Sequence, residues 1–252
     1  MQDIFIEDVG SGTPLVLVHG FLGSSEMWTL QTDFFKRNFR VLAPALPGFG
    51  KSNKVKSCNS IEDMAKSILT SLDEKKIERF YLLGHSMGGM IVQEMAKLAG
   101  EKILKLICYG TGPRGNIPGR FETIDQSREK LKVNGLENTA YRIAKTWFIK
   151  EDRAKYFHLC EEAGKQTSIE AAGNGLVAMK NWNGVENLQN IKNETLIVWG
   201  DQDRVYNYNQ IKTLNDNIPN CYLKIIKNCS HNVHLEKPDR FNKVVKEFLK
   251  GV

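Results

Sequence analysis

The stretch YLLGHSMGGMIVQEM, residues 81–95, decides how the rest of the chain is read. A short apolar run ending at Leu83 gives way to a glycine, a histidine, Ser86 and two further glycines, after which apolar residues recur at helical spacing. A continuous apolar run bounded by glycine reads as a strand buried on both faces, so residues 84–88 form a strand-to-helix turn. Glycines on either side let the backbone turn tightly and leave room for neighbouring elements, which holds Ser86 out at the apex. In an open parallel sheet, that end of a strand is where loops and helix N-termini converge on a crevice.

The same kind of apolar run recurs along the chain. Leu15 to Val18, Val41 to Ala43, Phe80 to Leu83, Leu106 to Tyr109, Leu196 to Trp199 and Leu223 to Ile226 are the predicted core strands, with one more around Ile4 to Glu7. Helical patterns lie between them. Ser60 with Asp63 resembles a capping box ahead of Ile61, Met64, Ala65, Ile68, Leu69 and Leu72 on one face. Pro238 precedes a C-terminal helix that repeats the pattern at Phe241, Val244, Val245, Phe248 and Leu249. Strands alternating with helices predict an α/β fold, a mostly parallel doubly wound sheet with right-handed crossovers.

One region breaks the alternation. GTGPRGNIPG, residues 110–119, is rich in glycine and proline and reads as a hinge, and beyond it residues 120–185 carry only helical patterns. The predicted organisation is therefore a core of residues 1–111 and 191–252, interrupted by an all-helical cap with its hinge at 112–190. In LENTAYRIAKTWFIK, residues 136–150, helical spacing puts Ala140, Ile143, Ala144, Trp147 and Phe148 on one face. Trp147, Phe148 and Trp182 are candidates for an apolar ceiling over a substrate, or for the interior of the cap itself. Arg114 and Arg120 in the hinge are candidate carboxylate grips, although an arginine in such a segment is ordinarily a solvated surface residue.

A serine hydroxyl is a poor nucleophile at neutral pH unless a base takes its proton and a carboxylate orients the base. Of five histidines, His231 and His234 follow the last predicted strand in NCSHNVHLEKP, and His231 is better placed to reach inward. WGDQDRV follows the strand ending at Trp199 and offers Asp201 and Asp203, of which we favour Asp203. His19, His85 and His234 read as hydrogen-bonding or packing groups near this site, and Cys229 as structural.

These residues carry a resemblance. HGFLG (19–23), LPGFGKS (46–52), GHSMGG (84–89), WGDQD (199–203) and SHNVHLEKP (230–238) are similar in order and wording to the α/β-hydrolase superfamily, in particular its small lidded esterases, enol-lactonases and carbon-carbon bond hydrolases. The resemblance implies that Ser86 is the nucleophile, Asp203 the acid and His231 the base, with the insert acting as a cap. It also puts the oxyanion donors on the backbone N–H groups of Phe21 and Met87. In the superfamily pattern the acid ends a G-x-x-D run, here Gly200 to Asp203, and the histidine lies five residues before a glutamate, here Glu236. Where members usually carry an aspartate two residues before the Pro-Gly of the second motif, this chain has Ala45, a position that supports the loop.

Composition narrows the function further. The chain has 252 residues, 41% hydrophobic and 25% charged, with a net charge of +6. Its basic residues are dispersed in runs no longer than a pair, which argues for a solvated basic surface and against a nucleic-acid or membrane partner. Five cysteines, an odd number without metal-ligand spacing, predict reduced thiols and a cytoplasmic location. No metal ligand cluster or phosphate-cradling loop is present, so neither metal nor organic cofactor is expected. The expected activity is hydrolysis of a small carboxylic ester or lactone through an acyl-enzyme on Ser86. The same triad would equally serve a carbon-carbon bond hydrolase of vinylogous diketones, or persist in a ligand-binding protein with little turnover.

Overall fold

The computed structural model describes residues 3–117 and 119–251. Pro118 of the predicted hinge, with Met1, Gln2 and Val252, lies outside the described residues. In chain order the elements are β1 (Ile6–Gly10), β2 (Pro14–Val18), α1 (Thr29–Phe35), β3 (Arg40–Pro44), α2 (Ile61–Glu74), β4 (Phe80–His85), α3 (Met87–Ala99) and β5 (Ile103–Tyr109). Three helices follow, α4 (Ile124–Lys145), α5 (Phe157–Lys165) and α6 (Ile169–Asn181). The chain then completes β6 (Thr195–Gly200), α7 (Tyr208–Asn217), β7 (Cys221–Ile226), α8 (Val233–Glu236) and α9 (Pro238–Lys250).

The seven strands form one sheet in the order β1-β3-β2-β4-β5-β6-β7. Only β1 runs antiparallel, pairing Ile6 with Pro44 and Gly10 with Arg40. Among the described residues a single strand precedes β2, as expected, but it starts two residues later than the sequence pattern suggests. Alternation along β2 shows why the apolar runs are continuous: Val16 and Val18 belong to the buried cluster that contains α2 and α3 residues, while Leu15 and Leu17 belong to the separate cluster, on the other face, that contains α1 and α9 residues. A strand covered on both sides has no polar face to alternate with.

The helix ends follow from local chemistry. Ser60 caps α2 by accepting the Asp63 N–H at 3.0 Å, and the Asp63 carboxylate accepts the Ser60 hydroxyl at 2.7 Å. A reciprocal capping box occurs instead at α4, where Thr123 and Gln126 satisfy each other's backbone N–H groups. Gly135, at φ 74° and ψ 176°, breaks α4 into two helical pieces. The second piece ends at Lys145, so Trp147 and Phe148 lie beyond it and not on its face. Pro238 stands at the start of α9, where its missing N–H costs nothing.

Candidate active site

Ser86 sits between β4 and α3 with φ 56° and ψ −118°. That left-handed conformation costs a non-glycine residue about 1–3 kcal/mol and persists only when its surroundings hold it. Here they do. Ser86 N–H donates to the Tyr109 carbonyl at 2.9 Å, and the Ser86 carbonyl accepts the Thr111 hydroxyl at 2.8 Å and the Gly89 N–H at 2.9 Å. The glycines make this packing possible: a Cβ on Gly88 would strike the Val18 carbonyl oxygen, and one on Gly89 would strike the Thr111 side chain. The turn is thereby clamped between β2 and β5.

The loop after β2 comes close to the serine, since a Cβ on Gly20 would lie 3.0 Å from Ser86 Cβ. His19 fixes this loop. Its Nε2 accepts the Leu46 N–H at 3.0 Å, which leaves Nδ1 as the donor to the Gly20 carbonyl at 2.8 Å. Burial lowers the His19 pKa to about 4, consistent with the neutral tautomer these bonds require. Ala45 N–H is held by the Phe5 carbonyl at 2.9 Å, so the second loop is tied to the chain before β1 without the superfamily's usual aspartate. Among the described residues no side chain or loop carbonyl accepts the Phe21 N–H. Met87 is the first residue of α3, where N–H groups have no acceptor within the helix.

Asp203 follows β6 and His231 follows β7. His231 Nδ1 meets Asp203 Oδ2 at 2.9 Å, with both side chains at 1% exposure or less. Asp203 Oδ1 accepts the N–H groups of Val205 at 2.7 Å and Tyr206 at 3.1 Å, which fixes the carboxylate plane. An ionised carboxylate only accepts, so Nδ1 carries the proton and Nε2 presents its lone pair. Nε2 is buried and has no hydrogen-bond partner among the described residues. Asp201 lies elsewhere, its carboxylate 3.8 Å from the Lys227 ammonium.

Two of the histidines set aside for packing, His85 and His234, pack around Tyr109 beneath His231. His85 lies with its ring centroid 4.5 Å from that of His231 and 4.4 Å from that of Tyr109. Tyr109 donates to the His231 carbonyl at 2.9 Å and lies 3.0 Å from His234 Nδ1. Burial depresses His85 well below the usual histidine value and takes His234 to about 3.

Ser86 opens into a cavity also walled by Phe21, Arg120, Trp147, Met179 and Tyr206. Its free space is about 10 Å³, close to the least that holds one water molecule. The Tyr206 ring stacks on His231 at 5.7 Å, and Trp147 lies 6.2 Å from it, so two walls of the serine's cavity also touch the histidine. Larger grooves exist, one of about 810 Å³ between Leu30, Tyr156 and Glu236, but it contains none of Ser86, Asp203 and His231.

Of the three aromatic candidates in the insert, only Trp147 lines this cavity. Phe148 is fully buried against Phe157, with ring centroids 5.9 Å apart, because the chain leaves α4 just before it and turns it inward. Trp182 points elsewhere, donating its indole N–H to Glu94 at 3.1 Å. Arg114 is exposed as expected, whereas Arg120 is half-buried and forms part of the cavity wall. Sequence reasoning missed Tyr206 and Met179. Tyr206 was open to discovery, standing three residues after Asp203 on the loop that positions it, but Met179 carries no mark that separates it from the interior of α6.

A mostly parallel seven-stranded sheet with a strained serine on the turn after its central strand defines the α/β-hydrolase class. The model of the alpha/beta hydrolase fold family matches residues 13–238, and the chain belongs to that family. It is 26% identical over 252 residues to a pimeloyl-[acyl-carrier protein] methyl ester esterase of Legionella pneumophila (strain Corby), covering 99% of this chain and 100% of that one. It is also 26% identical to the dihydrolipoyllysine-residue acetyltransferase component of the acetoin cleaving system of Pseudomonas putida, covering 95% of this chain but spanning only 64% of that relative. Among solved structures, the enol-lactonase of Burkholderia xenovorans LB400 superposes with a TM-score of 0.88 at 21% identity, over 98% of this chain and 96% of that one. Among the described residues no helix is long and apolar enough to cross a membrane.

Proposed function

We propose that the protein is a serine hydrolase that cleaves a small carboxylic ester or lactone through an acyl-enzyme on Ser86, under a cap formed by residues 112–190. The observation that carries this reading is the state of His231: Nδ1 is committed to Asp203 while Nε2 is a base with no partner among the described residues, packed against two walls of the cavity that holds Ser86. The esterase relative of equal length supports the same chemistry.

In this mechanism Ser86 Oγ attacks the substrate carbonyl carbon as His231 Nε2 takes its proton, and Asp203 stabilises the imidazolium. The Phe21 and Met87 N–H groups donate to the resulting oxyanion, and each such donor is worth about 3–4 kcal/mol in the transition state. Collapse breaks the bond to the leaving oxygen, which takes the proton from Nε2. Water then attacks the acyl-enzyme, giving up a proton to His231, and the acid is released with Ser86 restored. The tight cavity keeps the donors away from bulk solvent, where they would act more weakly.

The test is labelling with a fluorophosphonate and mapping of the modified peptide, together with turnover of a short p-nitrophenyl ester. Label on Ser86, with turnover abolished in a folded Ser86→Ala variant, is expected. Turnover retained by that variant removes Ser86 from the mechanism.

A further inference from the structure

We infer that the substrate carries a free carboxylate besides its scissile ester or lactone, and that Arg120 is the group that holds it. This deepens the hydrolase reading and rests on it.

Arg120 stands in the segment between β5 and α4, and its side chain forms one wall of the cavity shared with Ser86, Trp147 and Tyr206. Its Nε is buried without a hydrogen-bond partner among the described residues. Its guanidinium rests over the Phe121 ring at 5.2 Å, a contact that orients the group without neutralising it.

The acids that could pair with it are already engaged. Glu122, two residues on, takes both arms of Arg142 at 2.8 and 3.0 Å, Lys130 at 2.8 Å and the Ser127 hydroxyl at 2.5 Å. Asp203 is filled by His231 and two backbone N–H groups. Burial lowers the Arg120 pKa, yet a guanidinium remains charged at neutral pH. Among the described residues, then, the cavity wall contains a half-buried cation without a counter-ion, its Nε aimed away from water and free to donate to an anion in the cavity.

The planar fork of an arginine matches a carboxylate in two parallel hydrogen bonds. Tyr206 links this group to the reacting centre. Its phenol is raised to about 12, burial outweighing the lowering effects of the Arg120 charge and of interaction with the Ser86 side chain. Because Ser86 and Arg120 line the same cavity, a carboxylate held by Arg120 lies close to the scissile carbonyl. Arg114, six residues earlier and exposed, has none of these features and serves as the control.

The experiment compares matched esters that differ in one charge: p-nitrophenyl hydrogen glutarate against p-nitrophenyl valerate, with the carboxylate on the acyl side, and 4-acetoxybutyrate against butyl acetate, with it on the leaving side. In at least one pair the wild-type protein should prefer the anionic ester. Arg120→Gln should lower that preference, as a ratio of kcat/KM values, by about 100-fold, the scale of losing one partner of a buried charge pair. Arg120→Lys should restore part of it, and Arg114→Gln should leave it unchanged.

A second measurement does not need the serine chemistry. The Ser86→Ala protein should bind monomethyl glutarate or 4-acetoxybutyrate in calorimetry about 100-fold more tightly than Ser86→Ala/Arg120→Gln does. Equal binding with and without Arg120 overturns the inference, as does an equal effect of Arg120→Gln on charged and neutral esters accompanied by a lowered Tm, the signature of a merely structural arginine. Should Ser86→Ala retain turnover while binding still depends on Arg120, the nucleophile assignment falls and the anion site stands.

Discussion

The Glu236 carboxylate accepts the backbone N–H of Ser230 at 2.6 Å, one residue before His231. Its other oxygen accepts the Ile149 N–H at 2.8 Å, two residues after the cavity-lining Trp147. One side chain thus ties the histidine loop to the chain leaving α4, and the Asn232 N–H reinforces the link by donating to the Trp147 carbonyl at 3.0 Å. The five-residue spacing from His231 to Glu236 follows: a single turn, α8, carries the carboxylate back over the loop it holds.

Glu236→Ala should accordingly leave two N–H groups without their acceptor, at about 1–3 kcal/mol for each one that stays buried. Because the loop carries His231, kcat should fall by about 10- to 100-fold, the range expected when a reacting group is misplaced by up to an ångström. Steady-state kinetics with a p-nitrophenyl ester would show this as a loss concentrated in kcat, with KM changed far less. An unaltered kcat would show that the loop holds its position without the glutamate.

How far the site was legible in the sequence depended on the range over which each feature is decided. The placement of Ser86 on a strand-to-helix turn was legible because the glycine pattern and the strand-to-helix switch are local, and that of Asp203 and His231 after strands because each closely follows an apolar run. The interior of the insert was not. Trp147 and Phe148 are neighbours, yet one lines the cavity and the other faces Phe157, since α4 ends before both. Arg120 looked like any hinge arginine because its lack of a counter-ion depends on where Glu122 and Arg142 meet, which no spacing in the sequence reveals.

Acid should destabilise the fold through its buried histidines. His19 and His234 have folded-state values of about 4 and 3, and His85 is also well depressed, all by burial. Above pH 6.5 each is neutral in both folded and unfolded chains and has no effect. Below it the unfolded chain binds the proton and the folded chain does not, so stability falls as pH drops towards the folded values, with a slope of at most about 1.4 kcal/mol per pH unit for each group. Urea unfolding between pH 7 and pH 5 should show this decline, and His234→Gln should make it shallower. A flat profile would mean that these side chains are protonated in the folded protein.

Two glycine substitutions should move stability in opposite directions. Gly173 lies inside α6 with nothing within 4 Å of the position a Cβ would take, so Gly173→Ala should stabilise by about 0.5–1 kcal/mol by removing backbone freedom from the unfolded chain. That corresponds to a rise in Tm of a few degrees at most. Gly88→Ala would drive a methyl into the carbonyl oxygens of Val18 and His19, which are strand and loop backbone and cannot swing aside. Thermal melts should show it strongly destabilised or unfolded, and a Gly88→Ala protein as stable as wild type would contradict the close packing of α3 on β2.

Asp203→Asn tests the orientation of His231 more sharply than truncation does. The Oδ1 position accepts two N–H groups, from Val205 and Tyr206, so the amide oxygen of asparagine must take that place and its NH₂ must face His231. A donor opposite Nδ1 forces the imidazole to accept there and moves its proton to Nε2, the atom that the proposed mechanism uses as the base. With the nucleophile's proton refused, kcat should drop by about 10⁴ while KM changes little, the size of effect seen when a triad histidine is held in the wrong tautomer. Fluorophosphonate labelling of Ser86 should slow in parallel, and a variant labelled at the wild-type rate would show that His231 does not activate Ser86 through the Asp203 contact.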